Sequence, residues 1–296
     1  MSDRYPGSPL SEGPLSGWRF ALSKRWAGYL ALTIVFAIVC CLLGAWQFAR
    51  RDEARAKIDK IDANYDTAAV PLGDVLADTS AFEDSQEWTP VEMTGSYLVD
   101  EELLVRSRPY GGRPGFEVLT PLQLDDGSIF IVDRGWVPTG ERQDSPDVVP
   151  AAPDGEVTVE ARLKPTEPTL TGRSAPDGQV ATIHLETIAD LVGGDVYSGA
   201  YGLLISEDPA PDEQRPFAAI RPERDEGPHL SYALQWYVFA AFGFIGLGYA
   251  LRQEYRAINA DDPDERERAD ERARKARAKP LTDDQIEDAI VEAGQR

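Results

Sequence analysis

The sequence predicts an α+β membrane protein, two transmembrane helices bracketing one extracytoplasmic β-rich domain of barrel or sandwich type, and three observations predict it. Residues 26–49 carry no charged side chain, and neither do residues 230–251. Between these runs, short alternating apolar stretches recur, separated by Pro, Gly and Asp clusters, the spacing of a compact β domain. At about 1.5 Å per residue, either apolar run covers the roughly 30 Å hydrocarbon core of a bilayer. In a chain of 296 residues of which 27% are charged, two such windows are informative, because a charge at the centre of a spanning helix costs roughly 2.5–3.5 kcal/mol.

Residues 1–25 are rich in Ser, Pro and Gly and read as a disordered cytoplasmic tail. Residues 26–49 form the first span. At 24 residues it is an uncleaved anchor, since the apolar region of a cleaved signal runs to about 7–15 residues. Residues 50–228 form the extracytoplasmic domain. It opens with a helical continuation from Arg50 to about Tyr65, with Ile58 and Ile61 on one face, broken at Pro71-Leu72-Gly73. Strands are expected over residues 91–97, 103–108, 116–124, 128–137, 156–163, 180–185, 201–205 and 217–220. Asp125-Asp126-Gly127 forms the tip of the clearest hairpin, and a short helix is expected over 187–191 from a Thr187 cap. Residues 229–251 are the second span. Residues 252–296 form a charged cytoplasmic tail of mixed sign, solvated or disordered, with a narrow apolar stripe of Ile286, Ile290 and Val291. Basic residues flank the first span evenly. Arg252 and Arg256 beyond the second span, and the length of the middle segment, place both termini in the cytoplasm. Small residues four apart, Cys40 with Gly44 and Gly246 with Ala250, are candidates for close helix packing.

The net charge is −21, and residues 51–228 hold 36 acidic against 15 basic side chains, which accounts for all of it. Such a surface repels phosphate backbones, so nucleic acid is excluded as a partner. Both cysteines, Cys40 and Cys41, are adjacent inside the first span and read as small apolar residues. Chemistry-bearing motifs are sparse. Only His184 and His229 are present, with no thiol outside the spans, no Gly-x-Ser-x-Gly elbow and no phosphate loop. His184 lies in the alternation 181–186 and reads as a strand histidine; a hydrolase built on it is the weakest of the functional readings.

His229, Tyr232 and Trp236 are three and then four residues apart, so they share a face of the second helix at its mouth. A neutral imidazole there can offer a ring nitrogen to a haem iron. From residue types alone, the ordinary aromatic belt of membrane helices explains these three residues better. With two spans, Trp46 and Gln47 at the exit of the first fall in the same leaflet as His229.

Pro228-His229-Leu230-Ser231-Tyr232-Ala233-Leu234-Gln235-Trp236 resembles the C-terminal signature of the Surfeit-locus family, the cytochrome c oxidase assembly factors called Shy in yeast. Leu43-Gly44-Ala45-Trp46-Gln47-Phe48-Ala49-Arg50-Arg51 is similar to the family's first-helix exit, and Val132-Asp133-Arg134-Gly135-Trp136-Val137-Pro138 to its central strand. The resemblance covers about residues 27–252. It implies a non-enzymatic protein of the plasma membrane, or of the mitochondrial inner membrane, that assists binding and insertion of haem a into the oxidase catalytic subunit, with haem a synthase as a further partner. By resemblance the haem ligand maps onto His229, Trp46 and Arg50 onto the first motif, and Arg134, Gly135 and Trp136 onto the central one. The expected haem a site is therefore His229 as iron ligand, Trp46, Tyr232 and Trp236 beside the ring, Gln47 converging on His229, and Arg50 or Arg51 on the propionates. The alternative is a membrane-anchored scaffold that grips the oxidase subunit without touching haem.

Overall fold

The computed structural model describes residues 17–141, 144–211 and 214–278. The chain divides into two compact units, Met1–Arg51 with Pro228–Arg296, and Asp52–Gly227. Helix α1 (Lys24–Asn64) begins in the first unit and ends in the second.

The first unit is helical. Helix α4 (His229–Ile258) follows Pro228, whose fixed φ of −80° suits a helix start. Both α1 and α4 are long and apolar enough to cross a membrane, and only 11% and 6% of their most apolar windows are buried. What is buried is a narrow seam of small residues. Cys40, Ala233 and Ala240 lie inside it. A Cβ on Gly44 would come within 2.8 Å of the Tyr237 ring, and one on Gly243 within 3.2 Å of Phe36, so the missing side chains set the closeness of the helices. Of the expected packing pairs, Cys40 and Gly44 enter this seam. Gly246 and Ala250 do not: a Cβ on Gly246 would meet nothing within 4 Å and Ala250 is exposed, because the face that meets α1 runs through 233, 237, 240 and 243.

Residues Gly17–Leu22, within the stretch read as an unordered tail, form a 3-10 helix. Its start is tied by a hydrogen bond from the Gly17 N–H to Asn259 Oδ1 at 2.9 Å, and Trp18 stacks on Tyr255 at 4.3 Å. Beyond α4, Asp262 caps α5 (Pro263–Arg277), with Pro263 in its first turn. The mixed-charge tail is thus helical up to Arg277, and the stripe of Ile286, Ile290 and Val291 lies outside the described residues.

The second unit is a β domain. In chain order it holds β1 (Val70–Pro71), α2 (Leu72–Val75), β2 (Pro90–Tyr97), β3 (Leu103–Val105), β4 (Gly115–Leu124), β5 (Ile129–Pro138), β6 (Glu156–Pro165), β7 (Gln179–Val180), α3 (Leu185–Val192) and β8 (Ala200–Asp208). β2 pairs with β6, β6 with β8, β8 with β5, β5 with β4 and β4 with β2, so five strands close into a barrel and the choice between barrel and sandwich resolves to the former. Only β5 and β8 run parallel in this ring. The corner is at Gly95, which pairs with both β6 and β4. A Cβ there would lie 2.2 Å from the Gln123 carbonyl oxygen. One core packs Val91, Met93, Leu122, Phe130 and Leu163 together, and a second packs Leu119, Ile131, Ile183 and Ile188.

Three expected elements are corrected. The strand over 217–220 is a single bridge between Phe217 and Trp136. The strand over 180–185 shrinks to Gln179–Val180, and α3 starts at Leu185 with His184, not Thr187, as its cap: the Thr187 N–H donates to His184 Nδ1 at 3.3 Å. The alternation across 181–186 is that of a chain entering an amphipathic helix, whose buried Leu185 and Ile188 are three apart.

Candidate functional site

In the first unit, the apolar part of α1 ends where α4 begins. His229 is the first residue of α4 and is half-buried, with Nδ1 2.9 Å from Gln47 Oε1. An amide oxygen only accepts, so Nδ1 carries a proton, and in the neutral imidazole Nε2 is then the nitrogen with the lone pair. A histidine fixed in this way is prepared to ligate through Nε2, with Gln47 as the outer partner that sets tautomer and ring orientation. Two turns further along α4, Tyr237 lies over Gly44, and the Phe48 ring approaches it at 6.3 Å.

The structure therefore brings Gln47 to His229. The aromatic residues named from sequence stand around this pair without closing on it. Trp46 is 56% exposed and Tyr232 49% exposed, and Trp236 rests edge-on against Phe239 at 5.8 Å. Arg50 follows Gln47 by three residues, one turn along α1, and is exposed. Phe48 and Tyr237 join the two helices just beside the site. Sequence inspection passed over them, although Gly44 three residues before Gln47 is the signal that a ring from α4 must fit there.

The central motif behaves differently. In β5 the register slips, with Val118 opposite Gly135 and Leu119 opposite Asp133, so Arg134 is an extra, unpaired residue. This bulge turns Arg134 to one face while Asp133 and Trp136 share the other. Arg134 is fully buried. It donates to Pro150 O and Ala151 O, both at 3.0 Å, and to Glu207 Oε1 at 3.3 Å, while Tyr97 Oη–H donates to Glu207 Oε2 at 3.0 Å. Gly135 has φ +126°, and a Cβ on it would sit 2.4 Å from the Phe217 carbonyl oxygen. Trp136 donates its indole N–H to Arg108 O at 2.7 Å and stacks on Tyr110 at 5.1 Å. All three motif residues thus build the barrel.

Next to Trp136 lies a buried ionisable group that the sequence did not single out. Arg108 pairs with Glu167 and lies 3.0 Å from Glu117 Oε2, in an alignment too bent for a hydrogen bond. Burial, reinforced by the Glu117 charge, pushes the Asp133 carboxyl well above the usual carboxylate range, even though the Gly135 N–H donates to it at 3.0 Å. Burial raises Glu117 and the Tyr201 phenol as well. His184, by contrast, spends its Nδ1 as a helix cap and has Thr187 Oγ1 at 2.8 Å.

The SURF1 family model matches residues 34–241. An uncharacterised SURF1-like protein of Mycobacterium tuberculosis is 33% identical over 244 residues, covering 80% of this chain and 88% of that protein. A SURF1-like protein of Rickettsia bellii is 24% identical over 220 residues, covering 72% and 86%. The cytochrome oxidase assembly protein SHY1 of Saccharomyces cerevisiae is 29% identical over 119 residues, 40% of this chain and 30% of the yeast protein. With two apolar helices that flank a barrel domain in the sequence and a family match spanning more than half its length, the protein belongs to the SURF1 family.

Proposed function

We propose that the protein is a membrane-anchored assembly factor for an aa3-type cytochrome c oxidase, and that it carries haem a to the catalytic subunit on His229. The observation that carries this reading is the His229 Nδ1 to Gln47 Oε1 contact of 2.9 Å, which leaves Nε2 as a lone-pair donor at the mouth of a helix. Support for the oxidase comes from the yeast relative, a cytochrome oxidase assembly protein. Helices α1 and α4 span the plasma membrane with both termini in the cytoplasm and the barrel outside. Their largely unburied apolar surfaces agree with a lipid setting.

In this reading His229 supplies one axial ligand. Trp46, Tyr232 and Trp236 offer flat apolar surface to the ring, and Arg50 or Arg51 pairs with the propionates. A single axial ligand suits a carrier, because release then breaks one bond to iron. Haem a synthase is the source and the oxidase subunit the acceptor, and the protein itself makes no covalent bond.

The test is the visible spectrum of the protein purified in detergent from cells that make haem a. A Soret band is expected from the native chain and not from His229→Ala. A band unchanged in that variant removes His229 as ligand. The exposure of Trp46 and Tyr232 equally suits contact with a helix of the oxidase. If neither protein carries haem, yet both recover the oxidase subunit, the protein is a scaffold.

A further inference from the structure

The end of α4 remote from His229 carries a pocket of about 410 Å³ lined by Trp18, Gly248 and Tyr255, by Arg252, Arg256, Arg268 and Arg272, and by one carboxylate, Glu265. We propose that it binds the phosphate of an anionic phospholipid, with the glycerol and acyl chains lying along Gly248 and Trp18. Four guanidinium groups converge in a chain whose net charge is −21, so the positive charge here is local. Glu265 offsets one of them, sitting 2.7 Å from Arg272 and 3.7 Å from Arg268. Of the carboxylates on the same segments, Glu254 pairs with Arg25, Asp261 with Arg266 and Glu271 with Lys275. Among the described residues, the Arg252 side chain makes no ion pair or hydrogen bond.

The pocket is also two-sided. Gly248 precedes Arg252 by one helical turn, and above it there is open space: a Cβ would meet nothing within 4 Å. Trp18 is half exposed and held flat on Tyr255 at 4.3 Å. A planar guanidinium fork matches phosphate oxygens, and an indole beside an open glycine accepts apolar chain. A free phosphate would use only the first half of this site.

The inference rests on α1 and α4 being membrane spans, which alkaline carbonate washing of membranes checks separately: release of the native protein fails that reading, whereas retention together with a failed lipid test removes the pocket alone. Native mass spectrometry of the full chain in mild detergent, with equal phosphatidylglycerol and phosphatidylcholine, is expected to show phosphatidylglycerol retained preferentially. Arg252→Gln breaks no ion pair or hydrogen bond among the described residues and should weaken retention about five-fold, and Arg252→Gln with Arg256→Gln by a further factor of similar size. Arg274→Gln with Arg277→Gln, on α5 but outside the pocket, should leave it unchanged. Equal binding of the two lipids, or full retention in Arg252→Gln, overturns the proposal. An equal loss in the α5 control overturns it in favour of a diffuse basic helix. Displacement by inorganic phosphate at the lipid's own concentration overturns it in favour of a soluble anion.

Discussion

Arg134 and His229 both belong to motifs that suggested function, yet the structure treats them in opposite ways. Arg134 is fully buried, and its guanidinium meets Glu207 and two carbonyl oxygens. His229 is half-buried, with one ring nitrogen held by Gln47 and the other without a partner among the described residues. A polar side chain whose hydrogen-bonding capacity is consumed inside the fold stabilises the fold. One that is oriented by a neighbour and left with a lone pair is prepared for something outside it. The central motif therefore reads as barrel architecture, and the α4 motif as the place where the proposed ligation would occur.

Substitution should separate the two. Arg134→Ala leaves Glu207 buried without its main counter-charge, a loss of about 3–5 kcal/mol. Its expected signature is a thermal transition of the detergent-solubilised full chain that falls sharply or disappears. His229→Ala should leave that transition almost where it was and abolish the haem spectrum. If Arg134→Ala melts like the native protein, or His229→Ala unfolds it, the contrast between the motifs is wrong. Gly135→Ala comes next, because φ +126° and the 2.4 Å approach to Phe217 O leave no room for a methyl group. A cost of about 2 kcal/mol, read from the same transition, is expected.

How much of this was legible follows from what each signal depends on. The two long apolar helices were readable because each contains a run of more than twenty residues without a charge, a composition that nothing else in the chain imitates. The hairpin between β4 and β5 was readable because Gly127, at φ +87°, sits at its tip. Gln47 was readable as a neighbour of His229 by topology alone, before any contact was known. Three features were not. His184 looked like a strand residue because local alternation does not reveal that Leu185 and Ile188 are buried on a helix. The inward turn of Arg134 depends on a bulge, and a bulge is a relation between two strands. The Asp133, Glu117, Arg108 and Glu167 group is assembled from β4, β5 and two loops, with no spacing along the chain to announce it.

Gln47→Leu sharpens the contrast at the other site. It removes the acceptor that fixes the His229 tautomer while keeping the ligand itself. Haem affinity should fall about ten-fold, the lower end for loss of a partner hydrogen-bonded to a metal-ligating histidine, with the thermal transition shifted by no more than one lost hydrogen bond accounts for, about 1 kcal/mol. Titrating haem into the detergent-solubilised variant and following the Soret band reads this directly. Unchanged affinity would mean that Gln47 serves helix packing only.

The smallest effect is a pH dependence belonging to the barrel. Asp133 and Glu117 have carboxyls raised by burial, so between the ordinary carboxylate range near 4 and their own higher values the folded chain holds protons that the unfolded chain has released. Stability from this source is complete below that range and is lost as pH rises through the folded values. Glu87 acts in the reverse sense. Burial pulls it up, but hydrogen bonds from Lys164 and Lys60 hold it below its ordinary value, so its contribution is present above pH about 4 and is lost on acidification. Asp133 and Glu117 thus contribute a loss of stability on the alkaline side, and Glu87 a loss on the acid side. Asp133→Asn keeps an oxygen for the Gly135 N–H and removes the proton exchange, so thermal transitions measured from pH 5 to 8 should flatten on the alkaline limb while the acid limb stays as it was. A native profile that stays flat from pH 5 to 8, or an Asp133→Asn profile that falls as steeply as the native one, would show that the Asp133 carboxyl stays ionised in the fold and that Arg108 compensates it.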